Sequence, residues 1–117
     1  MAKFQSLKEA VAENLRDGDT VAFEGFTHLI PHAAAHEVIR QGIKDLTLIR
    51  MTPDIIYDQM IGMGLVKKVI FSYAGNPGVG LLRRMRDAIE NSWPRAIETV
   101  EHSHAAMANA YEAGAAG

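Results

Sequence analysis

The sequence predicts an α/β fold, an open parallel sheet flanked by helices. Short apolar, partly β-branched runs begin near positions 20, 46, 67 and 96. Between each pair lies a segment whose apolar residues recur at helical spacing, bounded by capping residues and by Gly or Pro stops. Such strand–helix–strand spacing joins parallel strands by right-handed crossovers, and a parallel sheet buries itself under helices packed on its faces.

Each element has a local reason. Ser6-Leu7-Lys8-Glu9 reads as a capping box opening the first helix, with Leu7, Ala10, Val11 and Leu15 on one face and Gly18 as its stop. Thr20 to Phe23 makes the first strand. Pro31 suits the first turn of the second helix, which runs through Ala35, Val38 and Ile39 to Gly42. Leu46 to Ile49 is the second strand. Thr52-Pro53-Asp54 opens the third helix, with Thr52 as cap and Ile56, Met60 and Met63 facing inward. Val69-Ile70-Phe71 centres the third strand. Gly75-Asn76-Pro77-Gly78 turns into the fourth helix, where Leu82, Met85 and Ile89 face inward and Arg83, Arg84 and Arg86 outward. Ile97 to Val100 forms the fourth strand, and an alanine-rich fifth helix begins near Ser103. The small-residue run Ala113 to Gly117 brings no closing strand. An uncovered sheet edge is a liability in soluble proteins, so the chain is expected to be a fragment or to pair at that edge.

Composition narrows the function classes. The 117 residues are 48% hydrophobic and 22% charged, with a formal net charge of −2, which suits one globular domain. That balance argues against nucleic acid, whose binders carry a basic stripe. The absence of cysteine removes disulfides, thiolate catalysis and thiolate metal sites, and fits a reducing cytoplasm. MAKFQSLKEAVAENL is too charged for a signal peptide, and no apolar run reaches the roughly 18 residues of a membrane span. A soluble, cytoplasmic protein is expected.

Ligands of open parallel sheets bind beyond the carboxyl ends of the strands. Here those tips are Glu24 to His28, Arg50 to Thr52, Tyr73 to Gly80, and Glu101 to His104. Most of the polar residues out of place in a core fall in these four stretches. Gly25 either makes a tight turn or lets a ligand carbonyl approach backbone amides that donate to a developing oxyanion. Gly75 to Gly80 either turns the chain or precedes a helix N-terminus able to hold an anion. It is neither the dinucleotide fingerprint nor a Walker loop. His32 and His36 share a helix face, and His102 and His104 a strand face, so metal ligation is conceivable, but spacing alone is weak support and no metal is expected. Glu101 and His104 either enter a helix in solvent or act as an acid–base pair. Glu24 ends a buried strand, and Arg50 on the adjacent tip is its expected partner.

Residues 17 to 31, DGDTVAFEGFTHLIP, resemble the first signature of family I coenzyme A transferases: an acidic-Gly pair, three apolar residues, Gly-Gly-Phe and a nearby proline. Asp17-Gly18, Val21-Ala22-Phe23, Gly25-Phe26 and Pro31 fit it. Glu24 stands at the first glycine of Gly-Gly-Phe, and Ile30 replaces a glycine before the proline. Glu37 to Thr47, Gly62 to Lys67, Asn76 to Val79 and Ala113 to Gly117 resemble the A subunit of glutaconate coenzyme A transferase, in the same order.

The resemblance implies a Rossmann-like α/β fold, with residues 1–117 as the N-terminal part of a longer A subunit. It implies ping-pong transfer between an acyl-CoA and a carboxylic acid through a glutamyl-coenzyme A thioester. The nucleophilic glutamate would come from the B subunit, so this chain would be inactive alone, contribute no catalytic side chain and work in a hetero-oligomer. Coenzyme A would be a substrate rather than a permanently bound cofactor. The binding residues implied or suggested by position are Gly25, Phe26, Thr27, His28, Leu29 and Ile30, with Asn76, Gly78, Glu101 and His104. An acyl-CoA hydrolase of the same fold, using Glu101 and His104 for the proton, and a non-catalytic binding partner are the alternatives.

Overall fold

The computed structural model of the chain describes residues 2–25, 28–76 and 79–117. Among these the elements run α1 (Leu7–Asn14), β1 (Thr20–Ala22), α2 (His32–Gln41), β2 (Leu46–Ile49), α3 (Ile55–Gly62), β3 (Val66–Phe71), α4 (Arg83–Glu90), β4 (Glu98–Glu101) and α5 (His104–Ala116). Helix and strand alternate as the sequence predicts.

The helix starts are chemical. The Ser6 N–H donates to Glu9 Oε2 at 2.8 Å and the Glu9 N–H to Ser6 Oγ at 3.2 Å, the reciprocal capping box. α1 ends at Asn14, before the expected stop; Gly18, at φ 87°, instead shapes the turn into β1. Pro31 is the N-cap of α2, one residue ahead of the helix. The cap of α3 is Asp54, not Thr52, because its carboxylate accepts from the Ile56 N–H. The inward face of α3 also differs from expectation. Ile56, Met60 and Ile61 are buried, whereas Met63 lies just past the helix end and is 61% exposed. In α4 the buried ridge is Leu82, Met85 and Ala88, and Ile89 is rotated out to 50% exposure.

Four parallel strands pair in the order β1-β2-β3-β4. Right-handed crossovers that all step in one direction place α2, α3 and α4 in one layer, and α2 packs on α1 and α3, and α3 on α4. Beneath that layer Leu46, Leu48, Val66, Val69 and Phe71 meet Val38, Ile56, Tyr57, Met60 and Met85 in one core. Register sets Thr20, Thr47, Lys68 and Glu98 in one row, and Ala22, Ile49, Ile70 and Val100 in the next. Adjacent register partners leave the same face of a sheet. An ion pair joins Lys68 to Glu98 in the first row at 2.7 Å.

This order contains no reversal, so these four strands form no switch-point crevice of their own. What they provide is a row of carboxyl tips.

Candidate functional site

The tips are laced together by long-range bonds. The β2 tip accepts from the β3 tip, as the Ser72 and Tyr73 N–H groups both donate to the Met51 carbonyl, at 3.0 and 3.1 Å. The β3 tip accepts in turn from the β4 tip, where the His102 N–H donates to the Phe71 carbonyl at 2.8 Å. α5 starts at the β4 tip, yet its Tyr111 hydroxyl donates to the Glu24 carboxylate at the β1 tip.

Residues 23 to 25 are the most firmly held part of this rim. The Phe23 N–H donates to Tyr57 Oη at 3.1 Å, and that hydroxyl donates onward to the Ile49 carbonyl at 2.7 Å. Burial pushes the Tyr57 phenol far above its ordinary pKa, so it remains a donor. Burial, and then the bond to Glu24, raise the Tyr111 phenol as well. Arg50 grips Asp54 with two parallel bonds, at 2.9 and 3.0 Å, and its Nη2 also donates to the Gly25 carbonyl at 2.5 Å. Arg50 is 1% exposed and lies over the Tyr57 ring, 5.7 Å from its centre. Glu24 therefore pairs with Tyr111 instead of Arg50. The reason is competition: Asp54, on the first turn beyond the same strand, matches the guanidinium fork bidentately.

Gly25 does more than end a strand. It sits at φ 141°, and a Cβ there would lie 2.9 Å from the His28 carbonyl oxygen and 3.0 Å from Ile30 Cα. Only glycine fits so tight an approach at that backbone angle. Beyond it Leu29 adopts φ 58° and is 86% exposed, an unfavourable conformation and a wet environment for a branched apolar residue. Ile30 packs back on the core, and His28 is exposed. Phe26, Thr27 and Gly78, also expected to bind, lie outside the described residues.

The other expected residues gather elsewhere. Strand spacing separates the β1 and β4 tips by roughly 14 Å, so Glu101 and His104 do not adjoin Gly25. A cavity of about 450 Å³ opens at the β3–β4 end, lined by Phe71, Ser72, Tyr73, Leu82, Met85 and Glu101 among others. Ser72 Oγ and His104 Nδ1 share a hydrogen bond of 2.6 Å at this end. His104 is the first residue of α5, so it and His102 do not share a strand face. No bond between Glu101 and His104 occurs among the described residues. Asn76 closes a tight turn with Gly80, with bonds of 3.1 Å in both directions. One first-turn amide of α4 beyond that turn, the Met85 N–H, donates to Asp58 Oδ1 at 2.9 Å. His32 and His36 rings stand 6.2 Å apart, and His36 bonds Gln59 at 2.8 Å. Among the described residues no group of three or more His, Asp or Glu could hold a metal.

Sequence reasoning passed over Tyr57, Ser72 and Tyr111, and gave Asp54 no role beyond opening a helix. A basic residue directly after an apolar strand, followed four residues later by an aspartate, was the available signal for Arg50 and Asp54. Nothing local marks Tyr111, whose partner is 87 residues away.

Comparison with known proteins gives this rim a family. The chain is 62% identical, over all 117 residues, to the A subunit of 3-oxoadipate CoA-transferase from Pseudomonas knackmussii. It is 41% identical over 92 residues to the A subunit of glutaconate CoA-transferase from Acidaminococcus fermentans. It spans 42% and 29% of the lengths of these two relatives. A crystal structure of the Acidaminococcus fermentans glutaconate coenzyme A-transferase superposes with a TM-score of 0.87 at 34% identity, covering 95% of this chain and 35% of that one. A variant of the decarboxylase AibA/AibB matches with a TM-score of 0.76 at 26% identity, over 86% of this chain and 38% of that one. Residues 4–117 match the Coenzyme A transferase family, and the chain belongs to it.

Proposed function

We propose that residues 1–117 are the N-terminal part of the A subunit of an acyl-CoA:carboxylate CoA-transferase. The observation that carries this reading is the β1 tip: a glycine without room for a side chain, its carbonyl drawn inward to Arg50, at the rim where ligands of parallel sheets bind. The identity to a 3-oxoadipate CoA-transferase chain supports a 3-oxo or dicarboxylic acid as the acyl group. The partner B subunit contributes the glutamate. Its carboxylate oxygen attacks the thioester carbonyl carbon, and negative charge develops on the carbonyl oxygen. Backbone amides after Gly25 stabilise that charge, and one such donor is worth about 2.7–4 kcal/mol. The loop through Leu29 and Ile30 lines the thioester, with Asn76, Glu101 and His104 further along the rim. Coenzyme A enters and leaves as substrate, in a hetero-oligomer of the cytoplasm.

The full-length protein, co-produced with its B subunit, is expected to move coenzyme A from a 3-oxoacyl or dicarboxylic thioester to a free carboxylate. Absence of transfer across a panel of such acyl-CoAs and acceptors removes the reading. One observation favours water as acceptor instead. Ser72 and His104 form a bonded pair beside an apolar cavity, a seat for a hydrolytic base. Equal thioester loss with and without a carboxylate acceptor, yielding only free acid, identifies that hydrolase. One fold supports several chemistries, and the decarboxylase neighbour is a case in point.

A further inference from the structure

We infer that Arg50, braced by Asp54, is a positioning residue that sets the backbone of the β1 tip for the reaction. The inference rests on the reading of that tip as the oxyanion site.

A buried ion pair is a poor source of stability. Desolvating both charges costs about as much as their attraction returns, and apolar pairs of similar volume often do as well or better. Arg50 is nonetheless 1% exposed, and its Nε has no partner among the described residues. What the guanidinium supplies, and an apolar side chain cannot, is direction. Two nitrogens are spent on Asp54, which locks the plane of the fork; Nη2 then aims a second bond at the Gly25 carbonyl. That bond fixes the direction of the Gly25 carbonyl at the end of β1. Asp54 is itself tied to α3, which it caps through the Ile56 N–H.

Tyr57 and Tyr111 hold the two preceding residues, so Phe23, Glu24 and Gly25 each carry a bond from a side chain distant in sequence. Conformations as uncommon as φ 141° persist only where the surroundings over-determine them. Among the three tethers, the Arg50 bond is the one on the Gly25 carbonyl, where the chain leaves β1.

The test uses the full-length protein in complex with its B subunit and the double variant Arg50→Met/Asp54→Asn. Asparagine keeps the helix cap, and the pair loses both charges together, so no buried charge is stranded. The expected result is a folded complex with kcat lowered at least tenfold, KM for acyl-CoA within threefold of wild type, and faster amide exchange at residues 25–30 with core strands unchanged. Loss confined to kcat is the mark of an interaction felt in the transition state. Should that variant not fold, Arg50→Lys takes its place: lysine keeps the charge but not the fork, and intermediate kcat and exchange are expected. Wild-type kcat together with wild-type exchange in a folded variant overturns the inference. Faster exchange at 25–30 in a complex whose wild type transfers no coenzyme A upholds the clamp while the proposed function fails.

Discussion

At Gly25 the backbone angle and the absence of space impose the same choice of residue. A methyl group would press on the His28 carbonyl and on Ile30, neither of which is the free end of a flexible side chain. Gly25→Ala is therefore expected to destabilise the fold by about 1–3 kcal/mol, the range for an L-residue forced into a sparsely populated conformation. Chemical denaturation reads this directly; an unchanged midpoint would show that the loop relaxes without strain. The neighbouring carboxylate illustrates competition at the same scale. Glu24 and Arg50 end adjacent strands, but Asp54 presents both oxygens to the fork, and Glu24 takes the Tyr111 hydroxyl.

Among the elements, α3 shows how a helix end decides burial. Met60 and Met63 both fit an inward stripe by spacing. Met60 is wholly buried beneath the sheet, while Met63 follows the last helical residue, Gly62, and faces water. Met60→Ala should cost about 2–5 kcal/mol, as for other large-to-small core changes. Met63→Ala should stay within about 0.5 kcal/mol, as surface substitutions do. Comparable losses for the two would mean that α3 continues past Gly62. α4 makes a related point, since its N-terminal amide at Met85 is taken by Asp58 from α3. A carboxylate of the chain itself thus accepts from one first-turn amide of that helix.

Across the whole molecule, contacts between distant segments tie the sheet to its connections. Arg95, in the segment entering β4, donates to Asp45 ahead of β2 at 2.7 Å. That hydrogen bond, opposed by slight desolvation and aided by the Arg95 charge, holds the Asp45 carboxyl below its ordinary range. The sign follows from linkage. A carboxyl depressed in the folded state stabilises the protein above its unfolded pKa, about 3.9, and that stability is lost as pH falls through the lower folded value. Arg95→Met should thus flatten the acid limb of the stability–pH curve below about pH 5. Wild-type and variant curves of identical shape between pH 6 and 2 would show the pair to be inert.

Much of the architecture was legible before any coordinates. Strand starts, the Ser6–Glu9 capping box, the Gly42 helix stop and the outward arginines of α4 follow from periodicity and caps, which act over a few residues. The rim was legible too, because the loops after the apolar strand runs carry polar residues and ligands of parallel sheets bind at those carboxyl ends. The exact partners were not. Tyr57 reaches Phe23 across 34 residues and Tyr111 reaches Glu24 across 87, and no local pattern encodes such pairs. Neighbours along the chain were enough to dictate the α/β alternation, the family resemblance and the place of Gly25 at a strand tip. They were not enough to assign Arg50 to Asp54 and Gly25, to turn Met63 and Ile89 toward water, or to set Gly25 an entire sheet width from His104. Those outcomes turn on strand order and on which of several competing groups packs closest, and both are settled only when the chain closes on itself.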